Sequence, residues 1–148
     1  RFGISPKIAL LSFSNFGSVK HPEVSKVQDA VRILHREYPD MIVDGDMQAD
    51  TATDINILRS NFPFSKLQDQ ANVFIFPDLS SANIAYKLMI KLGGAEAIGP
   101  ILMGMKKPVH VLHRSNDVDQ VVVMAALATA EAGRAAADQP NLPSKVKA

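Results

Sequence analysis

The chain has 148 residues, with 16 Lys and Arg against 15 Asp and Glu, for a formal net charge of +1. Hydrophobic residues at 47% and charged residues at 21% suit a soluble globular domain with a core, and exclude disorder as a class. Near-neutral charge excludes a purely electrostatic nucleic-acid binder, and the lack of cysteine excludes a disulfide framework, a thiolate nucleophile and Cys-ligated zinc.

The elements follow in chain order. Lys7 to Ser14 is a nearly continuous apolar run, as in strands buried on both faces of a sheet. Asn15 to Ser18 reads as a loop. Pro22 opens a helix with Val24, Val27, Val31 and Leu34 at helical spacing, and Pro39 stops it. Met41-Ile42-Val43 is a second strand, closing at Asp44-Gly45-Asp46. Asp50 to Leu58 predicts a helix with Ala52, Ile55 and Leu58 on one face. Asn72 to Phe76 is a strand closed by Pro77. Ser80 or Ser81 caps the next helix, whose apolar face is Ile84, Ala85, Leu88, Met89 and Leu92, and Gly93-Gly94 ends it. Ile98 to Met103 and Val109 to Leu112 are further strand candidates. Asp117 to Ala132 predicts a last helix with Val118, Val121, Val122, Ala125 and Ala128 on one stripe, capped by Ser115 or Asn116. Past Arg134 the composition turns to that of a disordered tail.

This alternation predicts an α/β fold: a doubly wound, mostly parallel sheet of about five strands flanked by helices. Ligands bind beyond the C-terminal ends of strands in such sheets. That singles out the loops Ser12 to His21, Asp44 to Asp50, Pro77 to Asn83 and His113 to Asp117. No apolar run approaches the ~20 residues needed to cross a bilayer. The chain starts at Arg1 rather than Met and enters a strand at once, so it reads as an excerpt of a longer, cytoplasmic protein.

Four constellations can carry chemistry. Asp44, Asp46, Asp50 and Asp54 could hold Mg²⁺ for a phosphohydrolase, or cap helices. Ser12, Ser14 and Ser18 lie in a small polar loop whose N–H groups could meet a phosphate, or form a plain tight loop. Asn83, Tyr86 and Lys87 share a helix face that could grip a phosphate or adenine, or simply be solvated. Arg114, after His113 and before a helix N-terminus, suits an anion clamp. His21, His35 and His110 are scattered, and no HExxH or GxSxG occurs.

Five segments then carry a resemblance: Ile8 to Ser14, Val43 to Asp50, Ala71 to Leu79, Asn83 to Lys87, and Ile98 to Gly104. In this order they resemble the phosphate acetyltransferase/phosphate butyryltransferase family, over roughly residues 5–133. The resemblance implies acyl transfer between coenzyme A and inorganic phosphate, in a cleft between two α/β lobes. It makes residues 1–114 the second lobe, 115–134 a helix returning toward an absent first lobe, and 135–148 a tail.

The family pattern changes at its catalytic point. Active members carry Ser-Arg-Gly followed shortly by Asp, the Ser near the thiol and the Asp proposed as the base. Here His113 stands at the Ser position and Gln120 at the Asp position, and Arg114 alone is kept. A Gln cannot take up a proton as a carboxylate does. A domain with these changes resembles the C-terminal part of bacterial NADP-dependent malic enzymes, as do Phe2 to Pro6 and Ser14 to Ser18. The expectation is therefore a regulatory acetyl-CoA-binding domain without transferase activity. Its site is Arg114, Asn83, Tyr86, Lys87, Ser12 and Ser14, with no catalytic residue and no metal. The parent would oxidise malate to pyruvate and CO2, using NADP and a divalent metal in its absent part. The alternative is a competent phosphate acetyltransferase. Either reading expects acetyl-CoA as partner, a homodimer or larger homo-oligomer, and neither nucleic acid nor membrane.

Overall fold

Three short strands, β1 (Ile8–Leu11), β2 (Val43–Met47) and β3 (Val73–Ile75), form a parallel sheet in the order β2-β1-β3. The computed structural model describes residues 3–102, 104–114 and 116–135, in two units that divide between Gly93 and Gly94. In the first unit, α1 (Pro22–Glu37) connects β1 to β2. The pair α2 (Ala49–Thr53) and α3 (Ile55–Asn61) connects β2 to β3, and α4 (Leu79–Gly93) follows β3. The expected α/β class, with a parallel sheet flanked by helices, is what the chain adopts.

Strand alternation sends successive side chains to opposite faces. Leu10 and Val43 pack with Val27 and Val31 of α1. Ala9, Leu11 and Met47 pack on the other face with Ala52, Leu58, Leu67 and Ala71. Each large apolar side chain fully buried here contributes about 1.5–3 kcal/mol. The predicted Val24, Val27 and Val31 stripe of α1 is buried. Pro22 lies in its first turn, and His21 Nδ1 accepts from the Glu23 N–H at 3.2 Å.

Three predicted elements differ. The second strand, expected at Met41-Ile42-Val43 and closing at Asp44-Gly45-Asp46, instead runs from Val43 through these residues to Met47. The expected Asp50 to Leu58 helix is broken at Asp54, whose carboxylate accepts from the N–H groups of Asn56 (2.8 Å) and Ile57 (3.4 Å) and so caps α3. A side chain bonding the backbone ahead of it competes with a continuous helix. The expected strands after Ile98 reduce to one antiparallel bridge between Ile101 and His110, so the sheet has three strands among the described residues. Gly99, Pro100, Gly104 and Pro108 interrupt that segment, and Pro cannot donate to a ladder.

The helix α4 buries none of its residues, despite the apolar face read from its sequence. In the second unit α5 (Val118–Ala135) is the one helix among the described residues. Its Met124 is buried, whereas Val118 and Val122 of the predicted stripe are exposed. His110 and Glu131 join the extended segment to α5, Nε2 to Oε2 at 3.1 Å. The tail expected from 135 lies outside the described residues beyond Ala135, as does the candidate cap Ser115.

Candidate functional site

The acidic group at the end of β2 is structural. Asp44 accepts from the Ser65 hydroxyl (2.8 Å) and the Lys66 N–H (2.7 Å), which pins the loop after α3. Asp46 is fully buried; it accepts from the Gly17 N–H at 2.9 Å and the Ser12 hydroxyl at 3.3 Å. Asp50 accepts from the Thr51 N–H in the first turn of α2, and Asp54 caps α3. Among the described residues no group of His, Asp and Glu is placed to hold a metal ion. The Mg²⁺ phosphohydrolase reading therefore falls, because these carboxylates face backbone and hydroxyl donors instead of one another.

The β1–α1 loop is the plain tight loop. From Ser14 to Val19 every N–H has an acceptor inside the protein. Ser14 N donates to Ser12 Oγ (2.8 Å), Asn15 N to Ser18 Oγ (3.2 Å) and Phe16 N to the Asp46 carbonyl (2.7 Å). Gly17 N donates to Asp46 Oδ1 (2.9 Å), Ser18 N to the Asn15 carbonyl (3.0 Å) and Val19 N to Ser14 Oγ (3.2 Å). Phe16 and Gly17 take positive φ, 48° and 77°, to turn the chain back onto Asp46. Ser14 is fully buried and Ser12 part-buried. Both hydroxyls hold the loop together, and a phosphate would have to displace one of these bonds to be cradled by its backbone.

On α4, Asn83, Tyr86 and Lys87, at i, i+3 and i+4, are all exposed. The Lys87 ammonium lies 5.2 Å from the Tyr86 ring centroid, a cation–π distance that holds the positive charge over the phenol. At the start of the same helix the Ser81 N–H, and then its hydroxyl, hold the Asp78 carboxyl below its ordinary value. Asp78, rather than Ser80 or Ser81, is thus the cap.

In the second unit Arg114 is exposed in a closed turn. The Asn116 N–H donates to the His113 carbonyl at 3.0 Å, and the His113 N–H donates to the Asn116 side-chain oxygen. Asp117 Oδ1 accepts from the Gln120 N–H at 2.8 Å, while Gln120 Oε1 accepts from the Asp117 N–H at 3.2 Å. These reciprocal bonds are a capping box at the N-terminus of α5. Asn116, expected as a cap of this helix, instead bonds His113 and Gln120, and Asp117 is the cap. The spacing Asp117-x-x-Gln120 is the signal that could have shown the box. Gln120, at the position expected for a base, is engaged in holding the helix start.

Comparison with known proteins follows from this fold. A family described as phosphate acetyl/butaryl transferase matches residues 1–129. Phosphate acetyltransferase of Staphylococcus aureus strain Mu50 is 41% identical over 135 residues, covering 88% of this chain and 41% of that protein. That of Bacillus subtilis strain 168 is 41% identical over 131 residues, with the same two coverages of 88% and 41%. The solved EutD phosphotransacetylase from Staphylococcus aureus aligns with a TM-score of 0.79 at 40% identity, over 90% of this chain and 41% of that one. A phosphotransacetylase from Streptococcus pyogenes aligns with a TM-score of 0.80 at 42% identity, over 91% and 40%. The chain spans about 41% of the length of these curated relatives.

These findings correct the malic-enzyme expectation. The relatives are named phosphate acetyltransferase, and none of those described here is an oxidoreductase. The expectations of malate oxidation and NADP, and of a purely regulatory domain, go with it. The changes at His113 and Gln120 outweighed in that reading the agreement over the remaining chain. By the match over residues 1–129, the chain belongs to the phosphate acetyl/butaryl transferase family.

Proposed function

We propose that the chain is a lobe of a phosphate acetyltransferase, which exchanges an acetyl group between coenzyme A and inorganic phosphate. The observation that supports this best is 41% identity over 135 residues with a protein of that name. In the forward step a phosphate oxygen bonds to the thioester carbonyl carbon, the C–S bond breaks, and the thiolate of coenzyme A leaves. Both substrates are anionic, so the lobe's task is to hold negative charge. The proposed contacts are Arg114 in one unit, and Asn83, Tyr86 and Lys87 in the other. Arg114 offers a planar fork of donors suited to phosphate. Ser12 and Ser14 contribute through the shape of the β1–α1 loop. No carboxylate stands where the family's base is expected.

The proposal extends to a homodimer in a cytoplasmic protein. Support comes from Leu79 and Leu92 of α4, each 82% exposed, side chains that water does not favour. Among the described residues no helix is long and apolar enough to cross a membrane. The deciding experiment is acetyl transfer from acetyl phosphate to coenzyme A, measured on the complete polypeptide by thioester absorbance. Turnover is expected; its absence in folded protein that still binds coenzyme A would remove the transferase assignment.

A further inference from the structure

We infer that β2 is a closed edge of the sheet, sealed by His35 and Asp44, so that no strand of another copy can pair with it. In the order β2-β1-β3 the strand β2 lies outermost among the described residues. Such an edge presents unpaired N–H and C=O groups, a template for aggregation. The hazard is larger here because the apolar Met41-Ile42-Val43 leads into β2, with two β-branched residues and Ile42 42% exposed.

The register fixes which groups face outward. Ile8 pairs with Val43, and the Ile8 N–H donates to the Ile42 carbonyl at 2.9 Å. In a parallel ladder this turns the N–H and C=O of Asp44 toward β1, and those of Val43 and Gly45 away from it. Three of these four outward groups have partners that no incoming strand supplies. The Val43 N–H donates to the Met41 carbonyl at 3.0 Å. The Val43 carbonyl accepts from His35 Nε2 of α1 at 2.8 Å. The Gly45 N–H donates to Asp44 Oδ1 at 3.0 Å.

The strand's own shape reinforces the seal. Its register slips between Leu10 and Leu11, so that Leu10 faces Gly45 while Leu11 faces Met47. A bulge of this kind twists an edge away from straight pairing. Gly45 is required there, because a Cβ would collide with the Leu10 carbonyl oxygen. Alongside runs a cavity of about 300 Å³ lined by Gln28, Arg32, His35 and Asp44. It is not a ready ligand site: Arg32 pairs with Asp29, His35 with the Val43 carbonyl, and Asp44 with Ser65 and Lys66. His35 of α1 occupies the outward Val43 carbonyl, and a strand could pair there only by displacing it.

The test compares His35→Ala and His35→Gln with the wild-type chain by sedimentation over a concentration series. His35→Ala frees the Val43 carbonyl and is expected to raise the self-association constant about tenfold over the wild type's, the scale of one hydrogen bond. His35→Gln, whose amide can donate to the same carbonyl, is expected to restore wild-type behaviour. A folded His35→Ala that sediments as the wild type does overturns the inference. Should His35→Ala fail to fold, amide exchange on the wild type decides. The outward N–H groups of Val43 and Gly45 are expected to exchange at least about tenfold slower than open chain, the same one-bond scale. Exchange at open-chain rates overturns the assignment.

Discussion

The Gln120 side-chain oxygen accepts from the Asn116 amide at 2.7 Å, and the Asn116 side-chain oxygen accepts from the His113 N–H. Asn116 therefore links the turn that carries Arg114 to the first turn of α5. Replacing Gln120 by Ala removes the Asp117 and Asn116 bonds together. The loss is expected to cost about 1 kcal/mol of stability, the usual value of a helix cap. Denaturant unfolding measures it, and a midpoint equal to the wild type's would show the box to be idle.

Arg114→Ala is expected to weaken acetyl-CoA binding roughly ten- to a hundredfold. A charge-assisted contact contributes about 1.5–3 kcal/mol. Arg114→Lys keeps the charge but loses the fork, so intermediate affinity is expected. Titration calorimetry with acetyl-CoA on the complete polypeptide supplies the number. Wild-type affinity in Arg114→Ala would take the residue out of the site.

Asp46 connects β2 to the β1–α1 loop through Gly17 and Ser12, and no part of it reaches solvent. Asp46→Ala removes the acceptor of the Gly17 N–H, whereas the Ser12 hydroxyl keeps the Ser14 carbonyl at 3.3 Å, so the loss is about 1 kcal/mol. Destabilisation on that scale is therefore expected, with loosening of Ser12 to Val19 visible in amide exchange. A loop as protected as before would show that other bonds set its shape.

The sequence made β1, α1 and the crossover legible because the apolar run of β1 and the period of α1 are strong and Pro22 and Pro39 mark the ends of α1, whereas β2, with Asp44, Gly45 and Asp46 inside it, was read too early in the chain. It did not reveal the break at Asp54, where one carboxylate overrides a continuous helical pattern. Nor did it reveal the role of Asp44 and Asp46, since the partners Ser65, Lys66 and Gly17 are distant in sequence or silent in pattern. Four acidic residues in eleven positions look like a metal site until their donors are known. The family was legible in five ordered segments, whereas two changed residues near Arg114 drew the reading toward the wrong parent enzyme.

Asp78 makes the first turn of α4 sensitive to acid. The Ser81 N–H and hydroxyl lower its pKa from the ordinary 3.8. A carboxylate whose folded pKa is depressed stabilises the fold above its unfolded value, and that contribution is lost as pH falls through the folded one. Exchange of the Ser81 and Ala82 amides, corrected for intrinsic rates, should therefore accelerate only below about pH 4, where an ordinary carboxyl begins to protonate. In Asp78→Asn this acid-dependent step should disappear. Its persistence there would assign the effect to another group.

His110 and Glu131 form a buried pair, with side chains only 6% and 9% exposed and Nε2 to Oε2 at 3.1 Å. The imidazole comes from the segment that bridges to Ile101, and the carboxylate from the C-terminal half of α5. The pair therefore fixes where α5 lies against that segment. Removing the imidazole takes away one buried hydrogen bond, a loss of about 1–3 kcal/mol. His110→Ala should lower stability on that scale and release the amides of α5 around Glu131 to faster exchange. Glu131→Gln, which keeps the shape and an acceptor oxygen but no charge, should cost less. Equal losses for the two variants would mean that the carboxylate, which the Gln amide cannot replace, rather than packing volume, holds α5 in place.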